Sequence, residues 1–142
     1  FLVRSEDLDW TFWCRYQPNG RHCFDSEYAP TSRFYYDIKM EDCRSHDIGN
    51  CKHNNNQFSN LQECQYTCRD KGNLPFTHVN VSESIYCRLQ PDFGNCNGYF
   101  PMWYYDVTKR TCKGFSYSGC GGNDNRFENA QICIALCGIL FV

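Results

Sequence analysis

Twelve cysteines divide this 142-residue chain into two sets of six. The first set, Cys14, Cys23, Cys43, Cys51, Cys64 and Cys68, is spaced C-x8-C-x19-C-x7-C-x12-C-x3-C; the second, Cys87, Cys96, Cys112, Cys120, Cys133 and Cys137, is spaced C-x8-C-x15-C-x7-C-x12-C-x3-C. Four of the five gaps agree, which marks an internal duplication. A segment of about 50 residues buries too little apolar surface to offset its own ordering entropy, and natural domains of that size add covalent staples. Closing a loop of about 50 residues removes roughly 4 kcal/mol of denatured-state freedom, against a net domain stability of only about 5 to 15 kcal/mol. An even cysteine count at this density belongs to an oxidising compartment, so a secreted, extracellular protein is expected. The competing use of cysteine is zinc. The pairs Cys64/Cys68 and Cys133/Cys137 are C-x3-C, with no C-x2-C partner and no H-x3-H, so no metal and no cofactor is expected.

The duplication extends beyond the cysteines. Phe34-Tyr35-Tyr36-Asp37 aligns with Trp103-Tyr104-Tyr105-Asp106, and Asn54-Asn55-Asn56-Gln57-Phe58 with Asn123-Asp124-Asn125-Arg126-Phe127. The aromatic runs predict strands, and Asp106 to Arg110 supplies the turn of a hairpin. Asn60 with Glu63 three positions later resembles a helix-capping box. Asn129 can cap a second helix and Gly138 can end it. Cysteines four apart, at 64/68 and 133/137, fall on one helical face.

At these residues and spacings the chain resembles the Kunitz-type serine-protease-inhibitor domain, twice over. The resemblance implies a small disulfide-rich α+β fold: two Kunitz (BPTI-like) domains in tandem, each a twisted β-hairpin plus a C-terminal helix with three disulfides. It also implies the pairing of first cysteine with sixth, second with fourth and third with fifth, whereas sequence alone allows fifteen pairings of six cysteines. The bridges would then be Cys14–Cys68, Cys23–Cys51, Cys43–Cys64, Cys87–Cys137, Cys96–Cys120 and Cys112–Cys133. The expected organisation is an N-terminal arm (1–13), domain 1 (14–68), a linker (69–86), domain 2 (87–138) and an apolar tail (139–142). Four extra residues in domain 1 fall between Cys23 and Arg33, in the loop that in this family enters a protease.

Composition narrows the function. A formal charge of -2 and a pI near 6.1 provide no basic patch for nucleic acid. No apolar run approaches 18 residues, and Ile139 to Val142 is too short to span a bilayer. The chain begins at Phe1 without a charged n-region and apolar h-region, the expectation for a mature product whose signal peptide has gone. Asn80-Val81-Ser82 is an N-glycosylation sequon in the linker, making Asn80 a candidate glycan site. With every cysteine assigned to a bridge and no partnering pattern at His22, His46, His53 or His78, no catalytic set is present and an enzyme is not expected.

In Kunitz inhibitors the residue after the second cysteine fills the protease's primary pocket, and a rigid loop in substrate-like form supplies affinity through preorganisation. Here that residue is Asn97, followed by Gly98, in domain 2 and Phe24 in domain 1. Asn97 offers no cation to the carboxylate of a trypsin-like pocket. In domain 1, Arg21 replaces the glycine found two before the cysteine and the loop is longer, so loops serving only as solvated scaffold remain an alternative. The arm supplies what the loops lack. Phe1-Leu2-Val3-Arg4 places apolar groups ahead of an arginine able to pair with a pocket carboxylate. A free arm ahead of paired Kunitz domains is similar to the tick salivary thrombin inhibitors of the ornithodorin and boophilin type. There the arm enters the thrombin active site while a domain docks on an exosite, so that two weak contacts multiply.

The acidic excess lies in the arm and domain 1, whereas residues 87–137 carry five Lys/Arg against four Asp/Glu. The preferred expectation is a monomeric anticoagulant inhibitor of thrombin. The alternatives are an ixolaris-like inhibitor bridging factor X or Xa and the tissue-factor pathway, and a non-inhibitory Kunitz scaffold for an ion channel or receptor.

Overall fold

The computed structural model describes residues 10–18, 31–48, 56–71 and 80–141. They divide between residues 77 and 78 into two compact units, each a hairpin with a helix packed against it. In the first, α1 (Trp10–Trp13) precedes the antiparallel strands β1 (Thr31–Asp37) and β2 (Asp42–Ile48), and α2 (Leu61–Cys64) continues as a π-helical turn over Gln65–Asp70. The second repeats the order: α3 (Glu83–Tyr86), β3 (Phe100–Asp106), β4 (Thr111–Tyr117) and α4 (Ala130–Cys137), ending in a 3-10 turn over Gly138–Phe141.

Each hairpin pairs seven residues with seven, in the same register. The turns are built alike. Asp37 Oδ1 accepts from the amides of Lys39 and Met40, and Asp106 Oδ1 from those of Thr108 and Lys109. Glu41 and Arg110 complete the turns at φ 53° and 52°, left-handed backbone that non-glycine residues adopt at some cost. The aspartate's other oxygen meets a cation across the strands, Arg44 at 3.3 Å in the first hairpin and Lys113 at 2.8 Å in the second.

Both asparagine caps form, Asn60 Oδ1 accepting from the Glu63 amide and Asn129 Oδ1 from that of Ile132. Gly138 follows the last residue of α4, but at φ -63° it is right-handed, so the helix tightens into the 3-10 turn in place of a left-handed glycine stop. Trp10 to Trp13, the aromatic end of the segment before Cys14, closes as one helical turn. It buries Phe12, sets Trp13 6.4 Å from Phe58 and lies with Trp10 beneath the Lys71 ammonium. Tyr86, likewise one before its domain's first cysteine, sits 6.4 Å from Phe127.

Five of the six bridges implied by the resemblance lie among the described residues, and all five are formed: Cys14–Cys68, Cys43–Cys64, Cys87–Cys137, Cys96–Cys120 and Cys112–Cys133. Cys23 and Cys51 lie outside those residues. In domain 2 the Cys87–Cys137 and Cys112–Cys133 bridges join a core of Tyr105, Val107 and Phe127.

A buried asparagine ties each domain together. Asn125 Oδ1 accepts from the Tyr105 amide, while its Nδ2 donates to the carbonyls of Cys87, Leu89 and Tyr105. Asn56 does the same with the Tyr36 amide and the carbonyls of Cys14, Tyr16 and Tyr36. Two N–H groups facing three carbonyls must share one proton between two acceptors. Through this one side chain, the segment around the first cysteine is fastened to the hairpin near its turn.

Candidate functional site

At one end of domain 2, the segment around Cys96 runs beside the segment around Cys120, joined by their disulfide with Cα atoms 5.5 Å apart. The Asp92 carboxylate accepts from the Gly94 amide at 3.0 Å and starts the turn. Gly94 has φ +88°, and a Cβ there would collide with the Cys120 carbonyl, so glycine is required both by backbone angle and by space. The Asn95 amide then donates to the Cys120 carbonyl at 3.1 Å, and the Gly98 amide to the Ser118 carbonyl at 2.9 Å. Between those two fixed points stands Asn97, exposed to solvent.

The opposite segment is buttressed in turn. Tyr117 Oη donates to the Gly121 carbonyl at 2.8 Å, and the Arg126 guanidinium lies 3.9 Å over the Tyr117 ring. The same guanidinium donates to the carbonyls of Gly121 and Asn123. Around Asn97 stand three exposed rings, Phe93, Tyr99 and Phe100, the first two with centroids 5.7 Å apart. Apolar rings held in water around a fixed backbone are built for contact. Within this loop there is no cysteine thiol and no histidine to act as nucleophile or base, so what it offers is a shape, a neutral amide and an apolar rim.

The structure thus places Asn97 and Gly98 together on the braced loop. Asn80 is exposed, directly before buried Val81. Phe1, Leu2, Val3, Arg4 and Phe24 lie outside the described residues. Sequence reasoning did not single out Ser118 or the aromatic rim. A serine two before a cysteine carries no periodic signal, although Phe93, Tyr99 and Phe100 could have been marked as apolar residues in a glycine-rich stretch. The apolar residues Ile139 and Leu140 beyond α4 are exposed.

Among the described residues no helix is long and apolar enough to cross a membrane. Residues 13–69 and 86–138 match the Kunitz/Bovine pancreatic trypsin inhibitor domain. The chain is 34% identical over 106 residues to the Actinia tenebrosa protease inhibitors, a match covering 74% of this chain and 37% of theirs. It is 32% identical over 125 residues to Amblin of Amblyomma hebraeum, covering 88% of this chain and 68% of Amblin. Doenitin-1 of Haemaphysalis doenitzi is 31% identical over 106 residues, covering 74% of each. The chain therefore spans well under half the length of the first of these relatives. Two matched regions, five bridges in the expected pairing and a repeated hairpin-and-helix unit lead to one statement: the chain belongs to the Kunitz-type family of serine protease inhibitors, with two domains in tandem.

Proposed function

We propose that the chain is a secreted inhibitor of a blood-coagulation serine protease, with thrombin the preferred target. Phe1, Leu2, Val3 and Arg4 occupy the active site, and one Kunitz domain holds an exosite. The observation that carries the inhibitory reading is the loop at Asn97. It is fixed by hydrogen bonds on both sides and by a disulfide, so little ordering entropy is lost when a partner closes on it. The choice of thrombin is supported by the arm's Arg4, which supplies the cation that Asn97 lacks, and by the relatives of tick origin. An exosite contact and an arm on one ligand raise each other's effective concentration.

The test is thrombin titrated in parallel with a tripeptide substrate and with fibrinogen, using the whole chain and a form lacking residues 1–4. The intact chain is expected to block both reactions and the shortened one to block fibrinogen clotting alone. Equal inhibition of tripeptide cleavage by both forms removes the arm from the active site, and no effect of either form removes thrombin as the target.

A further inference from the structure

We propose that Ser118 is the positioning residue of the Asn97 loop, its hydroxyl acting as a second, non-covalent cross-link beside the Cys96–Cys120 bridge. Ser118 is 1% exposed and touches the loop three times. Its amide donates to the Phe93 carbonyl at 2.7 Å and its carbonyl accepts from the Gly98 amide at 2.9 Å, bonds that any residue here could make. The hydroxyl adds what only a side chain can. Oγ accepts from the Cys96 amide at 3.0 Å and donates to the Cys120 carbonyl at 3.2 Å, so it joins the two bridged segments through their own backbone. The holding points at residues 93, 96 and 98 lie on both sides of Asn97.

The neighbouring glycine belongs to the same device. A Cβ on Gly94 would stand 2.7 Å from Ser118 Oγ, inside its contact radius, so the hydroxyl occupies space that the missing side chain leaves free. The first repeat carries the opposite pair. Two before its second cysteine is Arg21, and two before its fourth is Gly49. A side chain at one position goes with none at the other, in both repeats. In domain 2 the exchange falls on two positions that share one space.

The proposal deepens the inhibitory reading and takes its purpose from it, but its test is made on the free protein. In the whole chain, Ser118→Ala removes the hydroxyl and keeps the Cβ, while Ser118→Gly copies the first repeat. Two rates are measured: amide exchange at Cys96, and reduction of Cys96–Cys120 relative to Cys112–Cys133. Both variants are expected to speed exchange at Cys96 about tenfold and to speed reduction of Cys96–Cys120, with the amides of β3 and β4 within about twofold of the parent. Parent-like exchange at Cys96 in Ser118→Ala overturns the proposal. Equal acceleration throughout β3 and β4, or failure of Ser118→Ala to fold, also overturns it, because Ser118 would then hold up the whole domain. Failure of the chain to inhibit thrombin counts against the proposed function and leaves these rates to decide the role of Ser118.

Discussion

Asn56 and Asn125 sit at equivalent places in the two domains and make the same four hydrogen bonds, while the loop ends diverge: Gly94 and Ser118 in domain 2 are replaced by Arg21 and Gly49 in domain 1. Hairpin register, turn aspartates and helix caps are retained in both. The scaffold therefore has strict requirements at its buried hub and tolerates change at the end that meets solvent. Coverage differs as well. Tyr105 is 1% exposed and Cys137 fully buried, whereas their counterparts Tyr36 and Cys68 are only half-buried. Domain 2 has an eight-residue α4, whereas domain 1 has one α-helical turn running into a π-helical one.

The sharpest way to break the likeness is at the hub. Asn125→Ala orphans carbonyls and an amide inside the core and is expected to cost about 4 kcal/mol, since each unsatisfied buried group costs about 1 to 3 kcal/mol. Asn56→Ala is expected to cost about 1 kcal/mol less, because Tyr36, which makes two of its four bonds, is half-buried and open to water while Cys14 and Tyr16 are buried. Hydrogen exchange resolved by hairpin would measure both; equal costs would show that the difference in coverage has no energetic weight. Next comes Gly94→Ala, which forces a Cβ onto the Cys120 carbonyl at a left-handed φ. A loss of about 2 to 3 kcal/mol confined to the loop is expected, read as faster reduction of Cys96–Cys120. Parent-like reduction would show that domain 2 can accept a side chain where domain 1 carries Arg21. The turn aspartates follow: Asp37→Ala and Asp106→Ala should each cost about 1 kcal/mol, mostly through lost turn bonds because the cations they meet are well exposed. Thermal melts of each variant would compare them.

The smallest effect is in pH. The Asp42 carboxyl is held below its ordinary value, first by the Cys43 amide and then by Gln65 and Arg69, whereas domain 2 has Thr111 at that place in the hairpin. A lowered carboxylate pKa adds stability that is present above about pH 4 and lost as pH falls through the lowered value, so acid should loosen the first hairpin before the second. Asp42→Asn should abolish that acid step. At the alkaline end the two hairpins share a tyrosine effect, to which domain 2 adds a lysine. Burial raises Tyr35 and Tyr36 in one and Tyr104 and Tyr105 in the other, and the hydrogen bond to Asp106 raises Lys113. Groups with raised pKa contribute below about pH 10 and lose that contribution above it. An acid transition unchanged in Asp42→Asn would remove this distinction between the hairpins.

What could be read from the chain beforehand was whatever is local or periodic. Aromatic runs gave the strands, Asn60 and Asn129 the caps, and the cysteine gaps, through family resemblance, the bridges. The hub was present only as an unexplained likeness, Asn-x-Phe at the same offset in both repeats. Its partners lie 20 to 42 residues away in sequence, and a polar asparagine run reads as a surface loop. Ser118 was silent for the same reason: its bond to Cys96 crosses 22 residues and exists only once the bridge has brought the segments together. A glycine two before the second cysteine is legible as a feature of the family resemblance, but the collision that makes Gly94 necessary appears only in three dimensions.

The common register of the two hairpins also bears on how the chain is made. β1 meets in β2 the same length, the same turn geometry and the same aspartate-to-cation contact that β3 meets in β4, so the pairing code alone discriminates weakly between a strand's own partner and its homologue. Cys43 and Cys112 face the same choice between Cys64 and Cys133. Tandem near-copies are prone to such exchange when both unfold together, and synthesis from the N-terminus relieves it by letting the first copy close before the second exists. For a chain whose stability rests on its bridges, the order in which its cysteines become available is therefore part of the information that specifies the fold.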